Sequence, residues 1–290
     1  MQPAPSALAS AREQFLALIA EVRPELHRYC ARLTGSVIEG EDIVQDTLAK
    51  AFYALSLAAD PPPLRPWLFR IAHNAAIDHL RRHATRFTEA RDDLDDREDV
   101  AALDAAADPA VVRAALSRFV ALPIAWRSAV ILKDVLGHSL EEVAATMGAS
   151  VPAAKAALAR GRAALRDASP PPATAAPTGD RAALERYARL FNAADWDGVR
   201  ALIRHDCRLD LVAKSQRQGP AVGAYFARYQ QEAVQLAIVA LDGALALAAY
   251  PPGHTAPAYF IQLDFADGQV AAIRDFRYVP YIAAEAPAAE

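Results

Sequence analysis

Apolar residues recur at helical spacing through most of the first 170 residues of the chain. Phe15, Leu16, Leu18, Ile19, Val22, Leu26, Tyr29, Cys30 and Leu33 predict a helix over Ala11–Leu33, with Pro24 a candidate break and Thr34-Gly35 its close. Ile43, Val44, Leu48, Ala51 and Phe52 predict a second helix over Gly40–Phe52, whose opposite face carries Glu41, Asp42, Gln45, Asp46 and Lys50. Ala58–Pro66 (AADPPPLRP) is too proline-rich for helix and reads as a loop. Trp67, Leu68, Ile71, Ala72, Ala75, Ile77 and Leu80 predict a third helix over Pro66–Arg82, with Pro66 suited to a helix start. It ends in the basic cluster Arg81, Arg82, His83 and Arg86.

Helical spacing resumes at Ala110, with stripes Val111, Val112, Ala115, Leu116, Phe119, Val120 and then Trp126, Val130, Ile131, Val135, closed by Gly137. Ser139 and Glu142 form a capping box for a short helix Leu140–Met147. Gly148-Ala149-Ser150 is a tight turn, and Val151–Arg166 is a longer helix carrying Lys155, Arg160, Arg162 and Arg166. Near residue 180 the pattern changes. Two helices, Ala182–Ala193 and Trp196–Ile203, precede a strand at Cys207–Ala213 and a helix at Val222–Gln231. Strand-like runs then follow at Val234–Leu241, Ala244–Tyr250, Ala258–Phe265 and Val270–Tyr278, with hairpin signals at Asp242-Gly243 and Asp267-Gly268. Helices first and a curved antiparallel sheet afterwards predict an α+β domain.

The 290 residues are enough for two or three domains, and the net charge of −4 assigns any nucleic-acid affinity to local patches. Arg91–Pro109 is acidic and poor in large apolar groups, as a solvated linker is, and Asp167–Gly179 (DASPPPATAAPTG) is a Pro/Ala linker. The expected division is therefore helical residues 1–84, acidic linker 85–109, helical residues 110–167, linker 168–179 and an α+β domain 180–282. Residues 1–10 and the tail after Tyr281 are expected to be disordered. Cys30 and Cys207 lack metal-type spacing and read as reduced core thiols, and neither metal nor cofactor is expected. With no membrane-spanning run or signal segment, no membrane partner is expected and the cytoplasm is the expected compartment.

A short capped helix, a Gly-containing turn and a second, basic helix make a helix-turn-helix. Arg70, Asn74 and Asp78 fall on one face of the third helix, with His73 and Arg81 nearby; Arg and His suit phosphate, and Asn suits a base edge. Solvated charge is the ordinary explanation for such faces, but the residue order changes that. GEDIVQDTLAKAF and PWLFRIAHNAAIDHLRR resemble region 2 of bacterial sigma factors of the extracytoplasmic-function group, and LPIAWRSAVILKDVLGHSLEEVAATMG with LARGRAALR resembles their region 4. The resemblance implies a transcription-initiation factor that is not itself an enzyme. It would bind core RNA polymerase, at the β′ clamp and β flap, and direct it to promoter DNA. The resemblance assigns Asp42, Gln45, Asp46 and Phe52 to polymerase, and Arg70, His73, Asn74, Asp78, Arg81 and Arg82 to the −10 element. It assigns Ser150, Lys155, Arg160 and Arg162 to the −35 element. The Ala58–Pro66 loop would hold a flipped base, whose unstacking costs a few kcal/mol. One departure stands out: alanines at 153, 154, 156 and 157 can touch a thymine methyl but read no base edge, which favours shape or phosphate contact.

LERYARLFNAADWDGVRALIRHDCRLDL resembles the opening of SnoaL-like cone folds, a domain some sigma factors of this group carry at the C-terminus. The resemblance implies a pocket between sheet and helices, with Tyr187, Trp196, Tyr225 and Tyr229 as candidate lining and His205, Asp210 and Asp264 as candidate polar groups. Regulation of promoter binding, through a small-molecule ligand or intramolecular contacts, is the expected role. The alternatives are a helix-turn-helix regulator with a ligand-sensing C-terminal domain and a SnoaL-like cyclase or isomerase.

Overall fold

The computed structural model describes residues 7–57, 62–84, 116–167 and 176–286. The chain separates into two compact units, 1–171 and 172–290. In the first, α1 (Ala7–Thr34), α2 (Val37–Leu57) and α3 (Leu64–Ala84) pack their apolar stripes together. Helix α1 starts within the expected N-terminal tail and runs unbroken through Pro24. One lost backbone donor is tolerated where the flanking Val22 and Leu26 are fully packed. Each such buried aliphatic side chain contributes ~1.5–3 kcal/mol. Gly40 lies inside α2 because α1 passes against it: a Cβ there would stand 2.7 Å from the Ala31 nitrogen. Pro66 occupies the first turn of α3, two residues after its start.

The second helical set is α4 (Leu116–Val120), α5 (Ile124–Val130, widening into a π-turn over Ile131–Val135), α6 (Leu140–Met147) and α7 (Val151–Asp167). The capping box of α6 forms as its sequence requires, with Glu142 N–H on Ser139 Oγ at 3.1 Å and Ser139 N–H on Glu142 Oε2 at 2.8 Å. Gly148 then closes α6 at φ +63°, a conformation open to glycine at little cost. These helices share one core with α1–α3 instead of standing apart. Phe69 lies edge-on to His138 with ring centroids 4.6 Å apart. Tyr29 Oη lies 2.6 Å from His73 Nδ1 and 3.4 Å from Ser128 Oγ. The buried Arg127 guanidinium donates to the carbonyls of Val120 (2.7 Å), Leu122 (2.8 Å) and Leu33. The acidic linker at 85–109 and residues 58–61 of the proline loop lie outside the described residues, and the loop's last three residues, 64–66, already belong to α3.

The second unit opens with α8 (Arg181–Asn192) and α9 (Trp196–Ala201), capped by Asp180 and Asp195. Strands β1 (Ile203–Leu211) and β2 (Ser215–Gln218), helix α10 (Gly223–Tyr229), and strands β3 (Gln235–Leu241), β4 (Ala244–Tyr250), β5 (Tyr259–Ala266) and β6 (Gln269–Asp275) follow. The sheet order is β2-β1-β6-β5-β4-β3. It is mixed, not purely antiparallel, because β1 pairs in parallel with β6, Leu209 beside Ile273. A connection carrying a helix and four strands is long enough for a parallel return. Asp242-Gly243 and Asp267-Gly268 turn the hairpins with φ of 52° and 77°, and 53° and 74°. Positive φ at both central residues matches the twist of the strands. The inner face of the sheet closes over α8 and α10 in a cone, burying Leu209, Leu247, Ile261 and Ile273 against Tyr187, Phe191 and Phe226. The chain after Tyr281 is not all tail: α11 (Tyr281–Glu285) is anchored by fully buried Ile282.

Candidate functional site

Three surfaces and one buried cluster carry the candidate chemistry. On α2, Asp42 and Asp46 are exposed and Gln45 is half-buried. Asp46 pairs with Lys50 at 2.7 Å, an exposed i,i+4 pair worth a few tenths of a kcal/mol. Glu41 departs from its expected place on the wet face: it is fully buried and paired with Arg23 of α1. Phe52 departs from the apolar stripe, at 56% exposed, and Tyr53 beside it is 69% exposed. Helix α2 thus presents carboxylates followed by two outward aromatic rings. Tyr53 was missed in the sequence because its position fits neither the apolar stripe nor the acidic face.

On α3, Arg70, Asn74, Asp78, Arg81 and Arg82 are exposed on the side away from the core. Arg82 Nε donates to the Asp78 carbonyl at 3.2 Å. His73 is not among them: it is 4% exposed beside Tyr29, and burial lowers its pKa to about 4. A neutral, buried imidazole is unavailable to phosphate, so His73 is corrected from a nucleic-acid contact to a core group. Trp67 is half-buried and Phe69 wholly buried.

On α7, Ser150 Oγ accepts the Ala153 N–H at 3.3 Å and so caps the helix. Lys155 is exposed and Arg160 half-buried. Arg162 is corrected in the same way as His73. It is 4% exposed, and its guanidinium meets both oxygens of fully buried Asp134, Nε to Oδ2 at 2.8 Å. The alanines also divide: 154, 156 and 157 are buried, and only Ala153 is half-exposed. Their small size serves a close approach of helices. At Gly161 a Cβ would stand 2.9 Å from the Trp126 carbonyl oxygen of α5. The exposed part of α7 is therefore narrower than its sequence suggests.

In the C-terminal unit the expected pocket residues fall in separate places. Tyr225 and Tyr229 are buried together, their hydroxyls donating to Asp275 Oδ2 at 2.9 and 2.8 Å. Tyr187 is buried in the same core, its hydroxyl without a hydrogen-bond partner among the described residues. Trp196 packs half-buried, edge-on to Phe191. His205 is exposed beside a hollow of about 240 Å³. Asp210 lies on the outer sheet face, 3.8 Å from Arg274 Nε, beside a hollow of about 420 Å³ that Asp264 also lines. Strand alternation explains this: Leu209 and Leu211 point inward, so Asp210 must point out. Burial raises the pKa of Asp275 and those of Tyr225 and Tyr229. Asp275, Tyr259 and Arg277 had no sequence signal beyond polar and aromatic residues at strand ends. Cys207 is buried, its thiol pushed up to about 11, and Cys30 is buried too. Among the described residues no group of three or more His, Cys, Asp or Glu is placed to hold a metal ion, and no helix is long and apolar enough to cross a membrane.

Comparison with known proteins bears on the helical unit directly. Residues 18–86 match the family model Sigma-70 region 2, and residues 113–165 match Sigma-70, region 4. The chain is 32% identical over 214 residues to the ECF RNA polymerase sigma factor SigG of Mycobacterium tuberculosis, which covers 64% of this chain and 58% of SigG. It is 32% identical over 163 residues to the RNA polymerase sigma factor CarQ of Myxococcus xanthus, covering 54% of this chain and 90% of CarQ. Among solved structures, the extracytoplasmic function sigma factor SigJ of M. tuberculosis aligns over 91% of this chain and 98% of SigJ, at 26% identity and a TM-score of 0.37. With both regions present in order, nine-tenths of CarQ spanned at this identity and 78% of the ECF RNA polymerase sigma factor SigM of M. tuberculosis spanned at 33% identity, the chain belongs to the RNA polymerase sigma factors of the extracytoplasmic-function group.

Proposed function

We propose that this chain binds core RNA polymerase and directs it to promoters with −10 and −35 elements. Helix α2 docks on the β′ clamp through Asp42, Gln45, Asp46 and Phe52, with Tyr53 added. Helix α3 takes the non-template strand of the −10 element through Arg70, Asn74, Asp78, Arg81 and Arg82. Helix α7 approaches the −35 element through Lys155 and Arg160, with Ser150 at its start, and its helical set meets the β flap. The observation that supports this most is the exposed side of α2, where two aromatic rings and two carboxylates lie outward while Ile43, Val44, Leu48 and Ala51 pack inward. An exposed aromatic pair rimmed by charge is the composition of a protein-protein interface. Such work takes place in the cytoplasm and involves no turnover by the chain itself.

We assign the C-terminal unit a modulating role, through a small molecule or contacts with the helical unit. In vitro transcription with bacterial core polymerase and promoter fragments tests both statements. Specific run-off transcripts are expected, with a changed yield when residues 180–290 are removed. Absence of transcripts together with absence of core binding refutes the first statement and leaves a helix-turn-helix regulator. Identical yield with and without residues 180–290 refutes the second.

A further inference from the structure

The turn after α10, the β4–β5 connection and the chain after β6 line a cavity of about 570 Å³, within the ~300–1,000 Å³ usual for small-molecule sites. One wall is apolar, formed by Val234, Pro251, Pro252 and the ring of Tyr259. The lining also carries the guanidinium groups of Arg228 and Arg277, bridged by Glu232. Arg277 is built in: its side chain is 7% exposed, and its guanidinium lies 4.3 Å from the ring centre of Tyr229 and 5.0 Å from that of Tyr259. Its Nη2 donates to Tyr259 Oη at 2.6 Å, and Tyr259 donates on to Tyr229, which donates to Asp275. A planar fork held this way loses little conformational freedom when it takes a planar anion.

The charge balance is positive. Lys214 and Arg228 both donate to Tyr278 Oη, at 2.9 and 3.0 Å, and this lowers the tyrosine's pKa. Against Lys214, Arg228 and Arg277 stand Glu232 and Asp275, whose pKa is raised by burial. Glu232 already shows which anion fits: Oε1 lies 2.8 Å from Arg228 Nε and Oε2 3.1 Å from Arg277 Nη2. It is half-exposed in the turn after α10, free of secondary structure, and can leave for water. A neutral ligand that displaced it would strand the buried Arg277 without its second carboxylate, which is costly. We propose that this cavity binds a monocarboxylic acid with an apolar body, the ligand carboxylate taking the place of Glu232 between Arg228 and Arg277.

The test is titration calorimetry on the full-length chain with decanoate and 2-naphthoate, each beside its primary amide. At least one acid is expected to bind in the micromolar range, about tenfold or more tighter than its amide. Arg228→Gln, at a half-exposed side chain, is expected to weaken acid binding about tenfold without unfolding the chain, and Glu232→Gln to strengthen it several-fold. No binding of either acid to the native chain overturns the proposal. So does equal binding of acid and amide, or acid binding unchanged by Arg228→Gln. No polymerase is present in this experiment, so its failure leaves the promoter-directing role untouched.

Discussion

Asp134→Ala removes one half of an ion pair enclosed in the core of the helical unit. Asp134 and Arg162 have side chains 0% and 4% exposed, and the guanidinium meets both carboxylate oxygens. The lone substitution leaves a buried guanidinium charge without the carboxylate that balances it, a loss of ~3–5 kcal/mol. Replacing both, as Asp134→Leu with Arg162→Met, removes the charges together and is expected to come within ~1 kcal/mol of the native chain. In a Trp196→Phe background only Trp67 and Trp126 fluoresce, and both report on the helical unit. With a urea slope of ~2 kcal/mol per molar, the single variant lowers the unfolding midpoint by ~2 M and the double variant by less than ~0.5 M. A single variant within ~1 kcal/mol of native, or a double variant as damaged as the single, refutes the reasoning. The same double variant separates structure from recognition: if it folds but loses promoter affinity, Arg162 does contact DNA.

Three further outcomes follow from the same geometry. His73 takes a proton near 6.5 when unfolded but only near 4 when folded, so its contribution is present above pH 6.5 and is lost as pH falls toward 4, by about 3 kcal/mol. His138, lowered by burial too, acts in the same direction, and His73→Gln is expected to flatten the pH dependence of the urea midpoint between pH 7.5 and 5. Phe52→Ala with Tyr53→Ala is expected to abolish co-purification with core polymerase while moving the unfolding midpoint by no more than ~0.5 kcal/mol equivalent, since both rings are largely exposed. Gly161→Ala gains up to ~1 kcal/mol of helix propensity but sets a methyl 2.5 Å from Val130 Cγ2 and 2.9 Å from a backbone oxygen, so a net loss of ~1–2 kcal/mol is expected in thermal unfolding.

Much of the candidate site was legible because helices and motifs are local. The capping box at Ser139 and Glu142, the glycine at 148 and the hairpin turns at 242 and 267 need only neighbouring residues, and all formed where the sequence places them. The faces of α2 and α3 were legible to the extent that a 3.6-residue repeat sorts side chains into wet and dry. It misplaced Glu41, His73 and Arg162 because polarity does not reveal a partner. Each is polar enough to be expected outside, and each is inside because another helix supplies Arg23, Tyr29 or Asp134. It misplaced Phe52 for the opposite reason: the ring is apolar yet 56% exposed, while Ala51 beside it is fully packed.

Sequence alone determined the order of helices, strands and turns apart from the short strand β2 and helix α11, together with the helix-turn-helix and the likeness to both sigma regions, since these depend on residue type and spacing within short segments. Tertiary structure decided which charges are usable and which are buried. It also decided that the two helical sets share a core, that β6 returns parallel to β1, and that Arg228, Glu232, Tyr259 and Arg277 meet around one cavity. Those outcomes depend on contacts between residues far apart in the chain, such as Tyr29 and Ser128, 99 positions apart. The free energy of such contacts comes from mutual burial and paired charge, which no single segment carries in its own pattern.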